Sequence, residues 1–451
     1  MRSNRGERFL DPRLLRCHTK LATFQCRVCW TVTIGRPVSD LESANFFRDR
    51  SVQDDPYPYF DALRARSPVL QEPHYGVFMV TGHEEALTVY NDSTHFSSCN
   101  AVSGPFVKFP VPFEGDDVSD IIERFRDQLP FSDQLPAFDP PQHTAHRALM
   151  MRLLTPGRLR ANEDFMGHLA DRLLEELVEH GGCEFVTAYA APFALLVIAD
   201  LEGVPESDHG LFTEKLTKLP EDLEHKPLEF LYDQFTAYIE DRRRDPRDDI
   251  MTEMATATFP DGSTPAVKEV ALLAANLFAG GQETTVRLLS FALRIIAEQP
   301  DIQEMLRSDR DRIPNFIEET LRFESPLRAQ FRMAKVRTSV AGVDVPAGST
   351  MMLLPGAANR DPRLFERPSE FDPDRSNARY HVAFGHGIHH CAGAHLARAE
   401  GRVTINRFLD RTSTISISEQ EHGPAHARRY EYLPTYFLRG LAELNLELDW
   451  A

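Results

Sequence analysis

The cysteine at position 391 lies in a segment whose composition suits a metal ligand. It belongs to the run Phe384-Gly-His-Gly-Ile-His-His-Cys391-Ala-Gly393, which a helical pattern follows from Leu396. Amide N–H groups at the start of a helix favour a thiolate over a thiol, and the thiolate is the form of cysteine that binds metals. Gly385 and Gly387 allow conformations closed to other residues and let a flat cofactor approach the loop. A single sulfur ligand suits an iron already held by the four nitrogens of a porphyrin.

The same loop fits two other roles. Cys391 could be a small buried apolar residue, which is the usual role of a lone cysteine. A zinc or nickel ion could instead be held by four histidines, at positions His386, His389, His390 and His395. Their spacing matches neither a His-Glu-x-x-His helix nor paired Cys-x-x-Cys knuckles, and the Cys-x-x-Cys-His motif of c-type haem attachment is absent. The loop therefore favours the thiolate ligand and leaves the other roles open.

A second candidate segment lies inside a long apolar helix. The helix is predicted over Ala266–Gln299, between two prolines, and its apolar middle indicates that it crosses the core. At its centre, Gly280-Gly281-Gln-Glu283-Thr284-Thr285 places two helix-weakening glycines beside an acid and two hydroxyls. Because the glycines open space, Glu283 and Thr284 are candidates for a proton relay toward a bound molecule. Alternatively, Thr284 bonds a carbonyl of its own helix and Glu283 pairs with an arginine.

Two pairs of charged residues also have helical spacing. Glu319 and Arg322 lie three apart on a helix predicted to begin near Pro314. Such a pair can form a salt bridge, although the pattern is common. His143 and Arg147 lie four apart and can hold an anionic carboxylate or phosphate from one helix face. The alternative for this second pair is two residues that simply face solvent.

The composition is that of an ordinary globular protein. The 451-residue chain is 42% hydrophobic and has a formal net charge of -18. That charge argues against nucleic acid as a partner. No run of about 18 uncharged apolar residues is present, so no membrane span is expected. Six scattered cysteines suit a reducing cytoplasm and not a disulfide scaffold.

Helical patterns dominate the predicted fold. Apolar spacing predicts helices over 84–90, 158–180 and 188–201, and alternation predicts a strand over 75–81 and a small sheet over 338–354. We therefore predict a mainly α fold with minor β structure (α+β). It forms a single domain over 41–451, preceded by a basic N-terminal extension over 1–40 that is expected to be mobile. A metal could bind in that extension to Cys17, Cys26 and Cys29.

Together, these motifs resemble those of the cytochrome P-450 family, particularly its soluble bacterial members. The loop Phe384–Gly393 looks like the family's cysteine-ligand loop, Gly280–Thr285 like its oxygen-activating segment, and Glu319–Arg322 like its Glu-x-x-Arg element. The segments 359–362 and 371–375 look like its meander. The resemblance spans roughly residues 45 to 449 and implies the cytochrome P-450 fold, with a haem between the long central helix and the cysteine-ligand loop.

The resemblance implies roles for individual residues. Cys391 would be the axial thiolate ligand of haem b, and Glu283 and Thr284 would be the catalytic pair that delivers protons. Phe384 and Gly393 would contact the cofactor. Its two propionates would be neutralised by four basic residues, namely His143, Arg147, Arg332 and His389. Carboxylates buried with a porphyrin edge need such donors. Arg375 would join Glu319 and Arg322 in a structural network.

The activity implied by the resemblance is that of a haem-dependent monooxygenase. One atom of O2 would enter an apolar small molecule, such as a terpenoid, steroid, fatty acyl or aromatic compound. The sequence has no dinucleotide fingerprint or flavin domain, so NAD(P)H electrons would arrive through a ferredoxin (or flavodoxin) and its reductase. This donor is expected to dock on a monomeric, cytoplasmic protein at the face that carries Arg398 and Arg402, together with Arg152 and Arg158 near Arg147.

The substrate pocket is expected to be lined by five stretches, 99–129, 211–235, 274–284, 326–331 and 433–437, which are rich in Phe, Leu, Val and Pro. Three other functions remain open. A peroxygenase would usually lack the acid–threonine pair. A non-catalytic haem-binding sensor or carrier would need no proton relay. A zinc-binding interaction protein would rely on the N-terminal cysteines.

Overall fold

The computed structural model describes residues 44–178, 181–217 and 227–451. It confirms the predicted class, since helices dominate and the sheets are small. The basic extension at 1–40 lies outside the described residues. Its three cysteines and the predicted boundary of the main domain lie outside them as well.

The helices that the structure describes vary from single turns to one very long helix. In chain order they are α1 Arg50–Asp54, α2 Tyr57–Arg66, α3 His83–Asn91, α4 Ser119–Phe125, α5 Gln142–Met150, α6 Pro156–Leu177, α7 Ala191–Glu202, α8 His209–Leu216, α9 Pro227–Arg244, α10 Ile250–Ala255, α11 Val267–Glu298, α12 Pro300–Ser308, α13 Ile313–Phe323, α14 Pro355–Ala358, α15 Ala394–Arg411 and α16 Glu419–His422. None of the described helices is both long enough and apolar enough to cross a membrane.

The long helix α11 is the central element of the core. Its start is fixed by Glu269, whose carboxylate accepts the N–H of Ala266 at 2.7 Å, and its end is followed by Pro300. It packs against α7, α9 and α15. Phe278 and Phe291 are fully buried on it, so apolar contacts surround the helix as its composition predicted.

The strands form three small sheets. They are β1 Val69–Gln71, β2 Phe78–Val80, β3 Phe96–Ser97, β4 Gly182–Glu184, β5 Gln330–Ala334, β6 Thr338–Val340, β7 Val343–Val345, β8 Thr350–Leu353, β9 Thr412–Ile417 and β10 Asn445–Trp450. The largest sheet has the order β1-β2-β8-β5-β3, in which β2 and β8 run parallel and the other neighbours are antiparallel. A second sheet has the order β4-β10-β9, and β6 pairs with β7.

Two predicted β regions differ in detail from the structure. The strand expected over 75–81 is shorter, because the Glu72 carboxylate accepts the N–H groups of His74 at 2.8 Å and Tyr75 at 2.6 Å and folds the chain into a turn. The region 338–354 is not one sheet. A turn with Gly348 at φ +82° separates the hairpin β6–β7 from β8, and β8 joins the larger sheet instead.

A buried ion network fixes the chain before the cysteine loop. Arg322 donates to both oxygens of Glu319 at 2.7 Å, and Arg375 donates to the same carboxylate at 3.1 Å. Arg322 also donates to the carbonyl of Asn359 at 3.0 Å, and the side chain of Asn359 accepts the N–H of Val382 at 2.7 Å. The network therefore connects α13 to the residues that lead into Phe384–Gly393.

Candidate active site

A cavity of about 530 Å³ lies between the middle of α11 and the cysteine loop. Apolar side chains form most of its wall, from the segment after β3, from α11 and from the C-terminal loop around Phe437. The nine site residues named from the sequence all border it: His143, Arg147, Glu283, Thr284, Arg332, Phe384, His389, Cys391 and Gly393. Residues far apart in the sequence thus meet around one space large enough for a small organic ligand.

The cysteine loop is held in a tight, defined conformation. Gly385 and Gly387 have φ angles of +66° and +68°, which L residues with side chains rarely adopt. A Cβ at Gly387 would lie 2.4 Å from the carbonyl oxygen of Tyr90. The N–H of Cys391 donates to the carbonyl of Phe384 at 2.9 Å, which closes the loop. These constraints direct one cysteine side chain to the cavity.

Cys391 is exposed, and its side chain borders the cavity. Desolvation by the surrounding protein raises the pKa of its thiol, whereas the N–H of Gly393 and the guanidinium groups of Arg147 and Arg398 act in the opposite direction. The N–H of Gly393, the residue that precedes α15, acts in the direction that the sequence predicted, and the thiolate stays a prediction.

The end of the cavity beside α5 is basic. The rings of His143 and His389 lie 4.1 Å apart between centroids, and Arg147 and Arg332 border the same space. Burial, followed by the charge of Arg147, lowers the pKa of His143 to about 4. Burial, followed by the charge of Arg332, lowers the pKa of His389 far below its ordinary value. Both imidazoles are therefore neutral, and two arginines carry the charge.

These basic residues lack an acidic partner in the described part of the chain. Arg332 is 6% exposed and donates to the carbonyl of Phe331 at 2.7 Å, and Arg147 donates to the carbonyl of His390 at 2.7 Å. The nearby Asp139 is already paired with Arg126. The Nε2 atom of His143 is buried with no hydrogen-bond partner. A cofactor with carboxylates at one edge fits this group, because it would supply the missing acceptors.

The two glycines of α11 have different surroundings. A Cβ at Gly281 would lie 3.3 Å from Ile198 of α7, so this glycine permits close packing of two helices. A Cβ at Gly280 would meet nothing within 4 Å, because Gly280 borders the cavity. The predicted open space beside the helix is therefore present at Gly280.

Glu283 and Thr284 border the cavity but make the local contacts that the sequence left as an alternative. The Thr284 hydroxyl donates to the carbonyl of Gly280 at 2.8 Å. The Glu283 carboxylate forms an ion pair with Arg287, one turn later on α11. A proton relay through these residues stays a prediction, since both side chains have partners within their own helix.

Comparisons with known proteins agree with this architecture. The family model for cytochrome P450 matches residues 207–427. Cytochrome P450 144 of Mycobacterium tuberculosis is 33% identical over 90% of this chain and 92% of its own length. The chain belongs to the cytochrome P450 family. It is therefore a P450 monooxygenase, and the family holds its haem through a cysteine thiolate.

Two further relatives extend the likeness. The substrate-free structure of cytochrome P450 CYP150A6 from Mycobacterium marinum is 53% identical, has a TM-score of 0.88, and covers 91% of this chain and 100% of its own. The 6-deoxyerythronolide B hydroxylase of Saccharopolyspora erythraea is 30% identical over 91% of this chain and 99% of its own length. The P450 fold is thus shared over nearly the whole described region.

One of the five stretches expected to line the P450 pocket does not do so. None of the described residues of 211–235 borders the cavity. Phe212 and Phe235 instead pack on Phe278 of α11, with ring centroids 5.4 Å and 6.1 Å apart. These aromatic residues therefore belong to the core behind the central helix.

The four arginines expected to receive the electron donor have intramolecular contacts. Arg398 donates to Glu318 at 2.6 Å, Arg402 donates to Glu163 at 2.6 Å, and Arg158 pairs with Glu253. Arg152 contacts a backbone carbonyl only. Three of the four charges are thus compensated within the chain, and docking at this surface stays a prediction.

One acidic residue on the P450 cavity wall was missed. Glu400 borders the cavity and accepts a hydrogen bond at 3.0 Å from the hydroxyl of Thr285, which the sequence placed beside Thr284 in the central helix. Glu400 lies four residues after Leu396 and four before Thr404, which places it on the buried face of α15. That four-residue spacing from Leu396 was the signal in the sequence that could have placed Glu400 on the buried face. In the described ranges, no group of three or more His, Cys, Asp or Glu side chains has a metal-holding arrangement.

Proposed function

We propose that this P450 binds haem b through Cys391 and inserts one atom of O2 into an apolar small molecule. One observation carries the proposal. A single cavity has Cys391 on one wall, Gly280 and Thr284 opposite, and an unpaired basic group at one end. That arrangement has a sulfur ligand, open space beside a helix and donors for propionates in one place.

The residues around the cavity have different roles. Bound haem would supply the chemistry that activates O2, and a thiolate ligand would favour that chemistry by donating electron density. Cys391 holds the cofactor from the loop side. His143, Arg147, Arg332 and His389 hold its carboxylate edge, with the two arginines providing charge.

On the opposite wall, Thr284 and Glu283 can supply protons, and Gly280 leaves open space. Thr284 can release its hydrogen bond to the carbonyl of Gly280 and donate toward the cavity. Glu283, whose side chain is 48% exposed, can exchange protons with solvent when its pair with Arg287 opens. Gly280 leaves the backbone uncovered, so a small molecule can lie close to α11.

The substrate is an apolar molecule of the terpenoid, steroid, fatty acyl or aromatic class. The wall above the loop is formed by side chains such as Val102, Leu135, Leu277, Phe331 and Phe437, with few polar groups among them. CYP109E1 of Bacillus megaterium, 28% identical, was crystallised with testosterone, and P450BioI with a fatty-acid-ligated acyl carrier protein. Apolar side chains of this kind bury the body of such a ligand, and the few polar groups among them fix its orientation.

Electrons come from NAD(P)H through a separate ferredoxin or flavodoxin and its reductase. Arg152 is the predicted contact that keeps a free charge, because it donates only to the carbonyl of Thr258 at 3.0 Å and does not border the cavity. Steering by such a charge weakens as salt screens it. Charge reversal at Arg152 should slow reduction at low ionic strength and have less effect at high ionic strength.

Turnover in isotopically labelled oxygen tests the proposal directly. The purified holoenzyme is supplied with a ferredoxin, its reductase and NADPH, and with compounds chosen by their ability to shift the haem spectrum. A product that contains one labelled oxygen atom supports the monooxygenase. Product formed with hydrogen peroxide alone would favour a peroxygenase, and spectral shifts without any product would favour a sensor or carrier.

A further inference from the structure

A second cavity, of about 280 Å³, lies beside the candidate active site. It is enclosed by the end of α5, the link to α6, the first turn of α6, the helix α10 and the start of α11. Met150 of α5 borders both this cavity and the larger cavity that contains Cys391. The second cavity is therefore a separate space that shares a wall residue with the candidate active site.

The second cavity has an apolar interior. Five apolar side chains line it from α5, the link after α5, α10 and α11, namely Leu149, Leu153, Met254, Val270 and Leu273. All five are buried. Apolar surface gains free energy when it moves from water into such surroundings. The interior therefore fits a hydrocarbon chain better than a polar molecule.

The charged groups among the described residues that line the second cavity are two arginines and one glutamate. Arg158 pairs with Glu253 through Nη2, whereas its Nη1 atom is buried without a hydrogen-bond partner. Arg152 donates to the carbonyl of Thr258 at 3.0 Å. Arg158 also lies in the first turn of α6, where the helix dipole favours an anion. Two positive charges thus meet one negative charge, which leaves one positive charge uncompensated at this cavity.

We propose that the second cavity binds an amphipathic monoanion, a carboxylate that carries a medium-length hydrocarbon chain. The chain lies among the apolar side chains, and the carboxylate accepts hydrogen bonds from Arg152 and from Nη1 of Arg158. Its single negative charge equals the positive charge that Glu253 leaves uncompensated. The volume is close to the lower limit of about 300 Å³ for small-molecule sites, which favours a medium-length chain over a larger ring system.

A ligand in the second cavity also acts on the Cys391 cavity through α5. Met150 lies on the same helix as His143 and Arg147, which border the basic end of the Cys391 cavity. A hydrocarbon chain packed against Met150 restricts the motion of that side chain. Binding in one cavity therefore changes the affinity in the other, and the change is reciprocal. The second site itself does not depend on the proposed monooxygenase function.

Isothermal titration calorimetry with decanoate tests the second site in the holoenzyme. The Cys391 cavity is first saturated with a phenyl-substituted imidazole, whose bound state is reported by the haem spectrum. Decanoate should still bind, with one equivalent per chain. Decanol and decylammonium should bind about 10- to 100-fold more weakly, which corresponds to the loss of one charged hydrogen bond.

Two substitutions test where decanoate binds. Ala257 borders the second cavity and not the Cys391 cavity, so Ala257→Trp should fill the site and abolish binding. Arg158→Met should weaken binding about 10- to 100-fold. The fold should tolerate this change, because the side chain of Glu253 that loses its partner is 72% exposed. Arg160→Met is the matched control, since Arg160 is an exposed residue of α6 that does not border the cavity, and it should leave the decanoate affinity unchanged.

Decanoate that no longer binds when the imidazole is present would belong in the Cys391 cavity and would overturn the second site. Binding that survives Ala257→Trp, or that is equally strong for decanol, would overturn it as well. Decanoate should change the imidazole affinity several-fold in the wild type and not in Ala257→Trp. An imidazole affinity that ignores decanoate in the wild type would overturn the coupling. A holoenzyme that binds decanoate and forms no labelled product counts against the proposed monooxygenase alone.

Discussion

Removing the charge of Glu319 should destabilise the protein severely. Its side chain and that of Arg322 are both 0% exposed, and Arg375 shares the same carboxylate at 5% exposure. Glu319→Gln leaves two buried guanidinium groups without a counter-charge and turns an amide N–H2 toward one of them. Breaking a buried ion pair costs about 3–5 kcal/mol, and this substitution leaves two cations unpaired. We expect a loss at the upper end of that range.

The assay is urea denaturation of the holoenzyme followed by circular dichroism and haem absorbance. The free energy of unfolding should fall by about 3–5 kcal/mol. The urea concentration at the midpoint should therefore fall by that energy divided by the slope of free energy against urea concentration, and the slope itself should not change. The control is Asp344→Asn, which breaks an exposed pair with Arg337 and should leave the stability nearly unchanged, because solvent screens exposed ion pairs. A Glu319→Gln protein as stable as the Asp344→Asn protein would refute the reasoning.

Three further substitutions probe the cavity and the core. Thr284→Ala should keep a normal haem spectrum yet lower the ratio of product to NADPH consumed, measured with a substrate that still binds; an unchanged ratio would make Thr284 a structural residue. Arg332→Met should speed haem dissociation by about 10- to 100-fold, the loss of one charged hydrogen bond, and should stabilise the apoprotein, which no longer buries an unpaired charge; equal effects on both forms would contradict this. Burial raises the pKa of Glu202, so its contribution to stability is greatest below the ordinary carboxyl pKa and declines as pH rises. Glu202→Gln should therefore gain stability relative to the wild type between about pH 4.5 and neutrality, and parallel unfolding curves across that range would exclude the effect.

The fold could be predicted from the sequence where local signals are strong. Prolines before and after the central helix predicted Ala266–Gln299, and the helix spans Val267–Glu298. The pairing of β2 with β8 could not be predicted in the same way, because these parallel strands are far apart in the chain. The turn at Gly348 has a local cause, which is the positive φ angle of a glycine. The sheet that β8 joins after this turn depends on the distant strands beside it.

The candidate site was predictable where a residue type is unusual for its position. A cysteine in a glycine-rich loop and two glycines inside an apolar helix both fall into this class, and both border the cavity. Glu400 was missed because a glutamate in a helix usually faces solvent. The stretch 211–235 was misassigned because the helix crossing that turns Phe212 and Phe235 toward Phe278 is a tertiary property.

The absorption spectrum of the reduced carbon monoxide complex tests the central claim most directly, since it would report which kind of side chain holds the iron. The structure directs Cys391 to the cavity, and the other described cysteines, Cys99 and Cys183, do not border it. We predict a strongly red-shifted band in the wild type, its retention in Cys99→Ser and Cys183→Ser, and its loss in Cys391→His. A red-shifted band that survives in Cys391→His would contradict the assignment of Cys391 as the ligand.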